Sequence, residues 1–144
     1  MCREGRAERA GQNERIFAGD TLDAYLVRED VGQRGYAIAI WRGRHVADPT
    51  ELSDDEAAAY FCEVLVVSRA LERRYHPAKL NLAMLGNTVP HLHTHIVPRY
   101  VDDDRPGVPP AFLNDRSQRP ALPAHEYERD ARALRADLRR STEG

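Results

Sequence analysis

Long apolar runs are missing from this chain. The longest, typified by Val64-Leu65-Val66-Val67, falls far short of the ~20 residues that cross a bilayer, so no membrane segment is expected. Cysteine is scarce: the two present, Cys2 and Cys62, do not make a disulfide framework. Cys62 falls inside a predicted helix and is expected to be a small buried apolar residue. An excess of positive charge is also lacking. With a net charge of -2, a general nucleic-acid coat is excluded, whereas a small basic pocket for one phosphorylated ligand is not. No apolar core follows the charges of Met1-Cys2-Arg3-Glu4-Gly5-Arg6, so no secretory signal is expected, and the cytoplasm is the expected location. No internal repeat is present. What remains is 144 residues, 42% of them hydrophobic and 31% charged, enough for one domain with one core and a well-solvated surface.

Residues 1–14 form a polar N-terminal segment, expected to be loose. Arg15 to Ala18 reads as a short strand closing at Gly19-Asp20, and Thr21 to Val27 as a second. Arg28 to Gly35 is a charged, glycine-bearing connection. Tyr36 to Trp41 is an apolar run of strand length, as in a central strand covered on both sides. Ser53 with Glu56 three residues later matches a capping box, which opens a helix. Ala57, Tyr60, Phe61, Val64, Leu65, Val67 and Leu71 then recur at three- and four-residue spacing, a wide stripe fit to lie on a sheet. His76-Pro77 closes that helix. Lys79 to Gly86 and His91 to Arg99 read as two more strands, separated by Asn87-Thr88-Val89-Pro90. The Pro-, Asp- and Arg-rich stretch from Asp102 to Pro123 is expected as an extended arm, and Ala124 to Arg140 as a charged final helix with a thin seam of Ala131, Leu134 and Leu138. The fold class is α+β: about five mainly antiparallel strands, one large helix packed on them and a C-terminal helix. The core spans 15–100, with the arm and last helix at 101–144.

His91-Leu92-His93-Thr94-His95-Ile96-Val97 concentrates three of the six histidines in five residues. On a strand they share one face, roughly 6–7 Å apart, with Leu92, Thr94 and Ile96 turned to the other. Three chemistries compete. The histidines are solvated or structural; or they hold a catalytic metal, since neutral imidazole is the commonest transition-metal ligand; or one attacks phosphorus, its ring oriented through its second nitrogen while its neighbours bind phosphoryl oxygens. Gly86-Asn87-Thr88, just upstream, supplies an amide, a hydroxyl and permissive backbone suited to oxyanions.

The His-x-His-x-His-x-x pattern resembles the signature of the histidine triad (HIT) family. The likeness extends through Lys79-Leu80-Asn81, Leu85-Gly86-Asn87-Thr88-Val89-Pro90, Pro98-Arg99, Gly35 to Val46 and Leu52-Ser53-Asp54-Asp55-Glu56, roughly residues 15–100. The resemblance implies an α+β sheet that pairs with a second copy in a homodimer, and hydrolysis or transfer of nucleotides at the α-phosphate. It implies His93 as a nucleophile that forms a nucleotidyl-histidine, the His91 main chain as the group fixing its ring, and His95 as a phosphate contact. Asn81, Asn87 and Thr88 match positions that hold phosphate or leaving-group oxygens, Asn87 standing where many members have Gln. Ile16 and Phe17 lie where members bury the base, and ordinary core packing is the other account of that pair.

Two departures stand out. Many members have a histidine directly after a glycine at the head of the central strand, where this chain has Tyr36 after Gly35; a tyrosine does not supply imidazole's proton chemistry near neutral pH. Arg28 falls near the position that contacts the ribose, and a guanidinium accepts no hydrogen bond. Some bacterial relatives hold a structural zinc with an N-terminal Cys-x-x-Cys pair, a loop histidine and the first triad histidine; Cys2, His45 and His91 match three of those ligands, one short of the usual four. The resemblance requires no cofactor, although a divalent cation would neutralise a polyphosphate tail. The leading expectation is a nucleotidyl hydrolase or transferase acting on a nucleoside phosphoramidate, a dinucleoside polyphosphate or a related conjugate. A nucleotide-binding module with little turnover and a zinc-dependent hydrolase are the alternatives. The expected partner is a small nucleotide, not a nucleic acid or a membrane.

Overall fold

The strand patterns between residues 9 and 99 close into a single antiparallel sheet. The computed structural model describes residues 8–28, 32–103, 105–110, 113 and 121–144. Its strands are β1 (Arg9–Ala10), β2 (Asn13–Ala18), β3 (Leu22–Leu26), β4 (Ala37–Trp41), β5 (Lys79–Ala83) and β6 (His93–Arg99), and its helices α1 (Asp54–Tyr75) and α2 (Ala124–Glu143). The spatial order is β1-β2-β3-β4-β6-β5. Among the described residues six strands stand where about five are expected. The extra one is the two-residue β1, which folds back on β2, so the end of the N-terminal segment is paired rather than loose.

Alternation divides the sheet into two faces. Leu22, Ala24, Leu26, Ala39, Trp41 and Ile96 face the helices and join Tyr60, Val64, Val67 and Leu71 of α1 and Tyr127, Ala131, Leu134 and Leu138 of α2 in one core. A fully buried side chain of that kind contributes about 1.5–3 kcal/mol. The predicted seam of α2 is therefore present. The stripe of α1 is narrower than expected: Phe61 and Leu65 are 38% and 39% exposed, and Cys62 is exposed rather than buried. All three sit on the flank of α1 that the sheet and α2 leave uncovered.

The ends of α1 follow the sequence. Ser53 Oγ accepts from the Glu56 N–H and the Glu56 carboxylate accepts from the Ser53 N–H, the reciprocal cap whose loss costs about 1 kcal/mol. At the other end His76 takes a left-handed conformation (φ 47°) before Pro77. Within the helix, Glu63 reaches the β2–β3 turn and accepts from the N–H groups of Asp20, Thr21 and Leu22 and from the Thr21 hydroxyl.

The described part of the 102–123 segment is tethered rather than simply extended. Arg99 is buried, and its guanidinium donates to Asp103, Asn81 and the carbonyls of Arg105 and Val108. A buried guanidinium has to satisfy its donors, so the chain after β6 wraps around it. Among the described residues no helix is long and apolar enough to cross a membrane.

Candidate active site

The helix-free face carries the histidines. Strand register places Asp23, Ile40 and His93 in one row across β3, β4 and β6, and Tyr25, Ile38, His95 and Ala83 in the next row. On the reverse, Leu92 and Ile96 enter the core and Thr94 meets the Tyr60 hydroxyl at 2.7 Å. The division of the motif between two faces is as expected. One boundary is not: the strand starts at His93 rather than His91. His91 belongs to the turn before it, its N–H bonded to the Val89 carbonyl, because Val89-Pro90 leads the chain in from the side.

Each imidazole is held by a different group. His93 Nδ1 lies 2.7 Å from the His91 carbonyl oxygen. A carbonyl only accepts, so Nδ1 carries the proton and the lone pair of the neutral ring is on Nε2. His91 Nε2 lies 2.8 Å from the Trp41 carbonyl and by the same logic donates to it. Burial pushes the His91 pKa down, with His45 and His93 adding to that effect and the Trp41 bond opposing it. His95 Nδ1 lies 2.6 Å from the Tyr36 hydroxyl, and the His93 and His95 rings meet edge to face, centroids 4.9 Å apart. His93 is part-exposed, whereas His91 and His95 are buried.

A cavity of about 680 Å³ opens over the pair, lined by His93, His95, Leu85, Gly86, Asn87, Thr88, Val89 and Leu113. Gly86 has φ 68°, a conformation open to glycine at little cost, and it turns the end of β5 so that Asn87 and Thr88 stand at the mouth. The strand expected to reach Gly86 stops at Ala83 for this reason. A fixed imidazole lone pair beside a second imidazole, an amide and a hydroxyl can bind and attack a phosphoryl group.

The structure brings His93, His95, Asn87 and Thr88 together, with His91 supplying the carbonyl behind His93. It does not bring Asn81, Ile16 or Phe17 to this lining. Asn81 Oδ1 accepts from the buried Arg99 at 3.0 Å. Ile16 and Phe17 are core residues beside α2. A break in strand register between Arg15 and Phe17 lets both be buried consecutively, as bulges do, and three strand spacings, roughly 14 Å, separate β2 from β6. The pair is packed in the core and also lines a separate cavity of about 420 Å³ with Arg15, Arg135 and Leu138. Arg28 is likewise engaged elsewhere, donating to the Leu122 carbonyl and to Gln12 and so tying the entry of α2 to the sheet. Two contributions were missed by sequence reasoning. Leu113, far along the chain, carries no motif. Tyr36 reads from the sequence only as a departure from the family pattern, and its place after Gly35 is the available signal.

His45 and His91 stand with ring centroids 5.8 Å apart, and Cys2 lies outside the described residues. Among those described, no three His, Cys, Asp or Glu side chains group as metal ligands. Two imidazoles do not satisfy a structural zinc's four-ligand preference.

A model of the HIT domain matches residues 10–102. The chain belongs to the histidine triad family. Among HIT relatives, the Bacillus subtilis protein hit is 30% identical over 104 residues, covering 62% of this chain and 71% of the relative. A bis(5'-adenosyl)-triphosphatase of Saccharomyces cerevisiae is 31% identical over 92 residues, and the match covers 60% of this chain but only 45% of the yeast protein. The crystal structure of a histidine triad protein from Bradyrhizobium japonicum superposes with a TM-score of 0.74 at 26% identity, covering 88% of this chain and 90% of the other. The HIT signature is the His91–Val97 motif itself, and the fold around it is the expected α+β sheet.

Proposed function

We propose that this chain is a nucleotidyl hydrolase or transferase that cleaves a nucleotide conjugate at its α-phosphate through a nucleotidyl-His93 intermediate. The observation that carries this reading is the 2.7 Å bond from His93 Nδ1 to the His91 carbonyl, which leaves the lone pair on Nε2 of a ring that lines the cavity. Nε2 attacks the α-phosphorus and the bond to the leaving group breaks, its electron pair departing with that group, which takes up a proton. Water, or another acceptor hydroxyl, then attacks the same phosphorus, gives up its proton, and the nitrogen–phosphorus bond breaks. Asn87, Thr88 and His95 bind the phosphoryl oxygens, where fixed donors stabilise developing charge. The yeast relative, a bis(5'-adenosyl)-triphosphatase, supports a nucleotide as the group transferred.

The test incubates the native chain and His93→Asn with an adenosine phosphoramidate and with diadenosine polyphosphates. Release of AMP by the native chain, falling by more than about 1,000-fold in the variant while AMP still binds, is the expected result. Binding of AMP without release from any conjugate would instead identify a nucleotide-binding module.

We also propose a homodimer. β5 is an edge strand whose Leu82, on the helix side of the sheet, is 45% exposed, beyond the reach of α1. Phe61 and Leu65 of α1 are exposed as well, and exposed apolar groups at an unpaired strand edge are what natural sheets avoid. Sedimentation at micromolar concentration is expected to give twice the monomer mass, and a monomer there would rule the dimer out.

A further inference from the structure

Tyr36 is fully buried among Val27, Val97, Ile38 and Leu113. Its ring stacks on that of His95, centroids 5.9 Å apart and planes 28° from parallel, and its hydroxyl meets His95 Nδ1 at 2.6 Å. A phenol keeps its proton at neutral pH, and an imidazole nitrogen is the stronger base of the two, so the hydroxyl donates and Nδ1 accepts. A neutral His95 held in this way carries its own proton on Nε2. His95 lines the cavity beside His93, so Nε2–H is the donor it offers there.

We propose that Tyr36 is a positioning residue, which fixes the ring and tautomer of His95 so that Nε2–H binds a phosphoryl oxygen of the group attacked by His93. The proposal rests on the function proposed above and adds a residue to it. His93 draws its tautomer from a backbone carbonyl, and His95 draws the opposite one from a side chain. The two adjacent imidazoles are thereby made unlike, one an acceptor toward phosphorus and the other a donor toward its oxygens. A backbone carbonyl at position 95 would have made both rings acceptors and left the phosphoryl charge without that donor. Tyrosine does this without adding an ionisable group near neutral pH.

The experiment has two arms on the full chain. The first records ring ¹⁵N resonances of the native protein, with His95 assigned by comparison with His95→Asn. A predominant Nε2–H tautomer is expected at neutral pH; a predominant Nδ1–H tautomer overturns the proposal without any substitution at Tyr36. The second arm compares Tyr36→Phe with the native chain for His95 tautomer, kcat and KM. The expected result is a mixed tautomer and a kcat lower by about 10- to 100-fold at little-changed KM. Unchanged kcat, or a fall in kcat with the tautomer intact, overturns it. Absence of turnover in the native chain would bring down the proposed function, and the catalytic role of Tyr36 with it. Native turnover with the wrong tautomer would bring down the role of Tyr36 alone.

Discussion

The hydroxyl of Tyr60 on α1 lies 2.7 Å from that of Thr94 on β6, joining the helix to the underside of the strand that carries the histidines. Tyr60 also approaches the Ala39 carbonyl at 3.3 Å, and burial pushes its phenol up to about 12, so the group stays protonated and must be satisfied as a neutral hydroxyl. Thr94→Val keeps the shape and removes the partner. The expected loss is about 1–2 kcal/mol in urea unfolding, while Tyr60→Phe with Thr94→Val together recovers part of it because no buried hydroxyl is then left with the longer Ala39 contact alone. Strictly additive losses in the double-mutant cycle would mean that the two hydroxyls do not act as a pair.

Glu63 gathers three backbone N–H groups and a hydroxyl from the β2–β3 turn. A carboxylate is a strong acceptor for such N–H groups. Glu63→Ala is expected to cost about 1–3 kcal/mol and Glu63→Gln less, since one amide oxygen retains part of the acceptor capacity. Equal stabilities of Ala and native forms would show that water serves the turn as well as the side chain does.

His91 gives the fold an acid sensitivity. Its pKa is depressed in the folded chain, chiefly by burial, so the unfolded chain binds its proton first as pH falls. The favourable difference is therefore complete above the ordinary histidine value and is lost as pH falls from there through the folded value. Between about pH 7.5 and about pH 5.5 the native chain should lose more unfolding free energy than His91→Gln, which keeps a donor for the Trp41 carbonyl but does not titrate. Asp130 does not interfere in that window. Burial alone would raise its pKa, but hydrogen bonds from Arg74, Tyr75 and Arg129 bring it below the ordinary value. Parallel pH dependences of the two proteins would assign the sensitivity elsewhere.

Much of this arrangement was legible because it is local. The Ser53–Glu56 box and the alternation of His93, Thr94 and His95 each report on their own neighbourhood. The run ending at Trp41, expected to be covered on both sides, is fully covered on the helix face only, with Ile38 and Ile40 partly exposed. What was not legible depends on neighbours distant in sequence. Phe61 and Leu65 have the same spacing as Val64 and Leu71, and only the width of the sheet and the position of α2 decide which of them are covered. Asn81 reads as a phosphate contact until the buried Arg99, 18 residues away, takes its oxygen. Ile16 and Phe17 read equally as a ligand wall or as core, and only the register break beside α2 shows how both come to be buried. Tyr36 was visible as a departure from the family pattern, but its role needed the 59-residue closure that brings His95 to it.

Gly35 is where that closure is most exposed to a single substitution. Its φ is 77°, and a Cβ there would stand 2.6 Å from the Tyr75 ring and 3.0 Å from the Pro98 ring. Both objections apply at once: the backbone conformation disfavours any side chain, and the ring is not able to swing away, since the Tyr75 hydroxyl is bonded to Asp130 at 3.0 Å. Gly35→Ala is therefore expected to cost about 2–3 kcal/mol in denaturant unfolding. The backbone has to move by several tenths of an ångström immediately before Tyr36, which displaces the hydroxyl from His95. Turnover should fall along with stability, and at temperatures well below unfolding the loss should resemble that of Tyr36→Phe, in kcat more than in KM. A variant as stable as the native chain would refute the steric argument. A destabilised variant with native kcat would show that the Tyr36–His95 contact tolerates the shift.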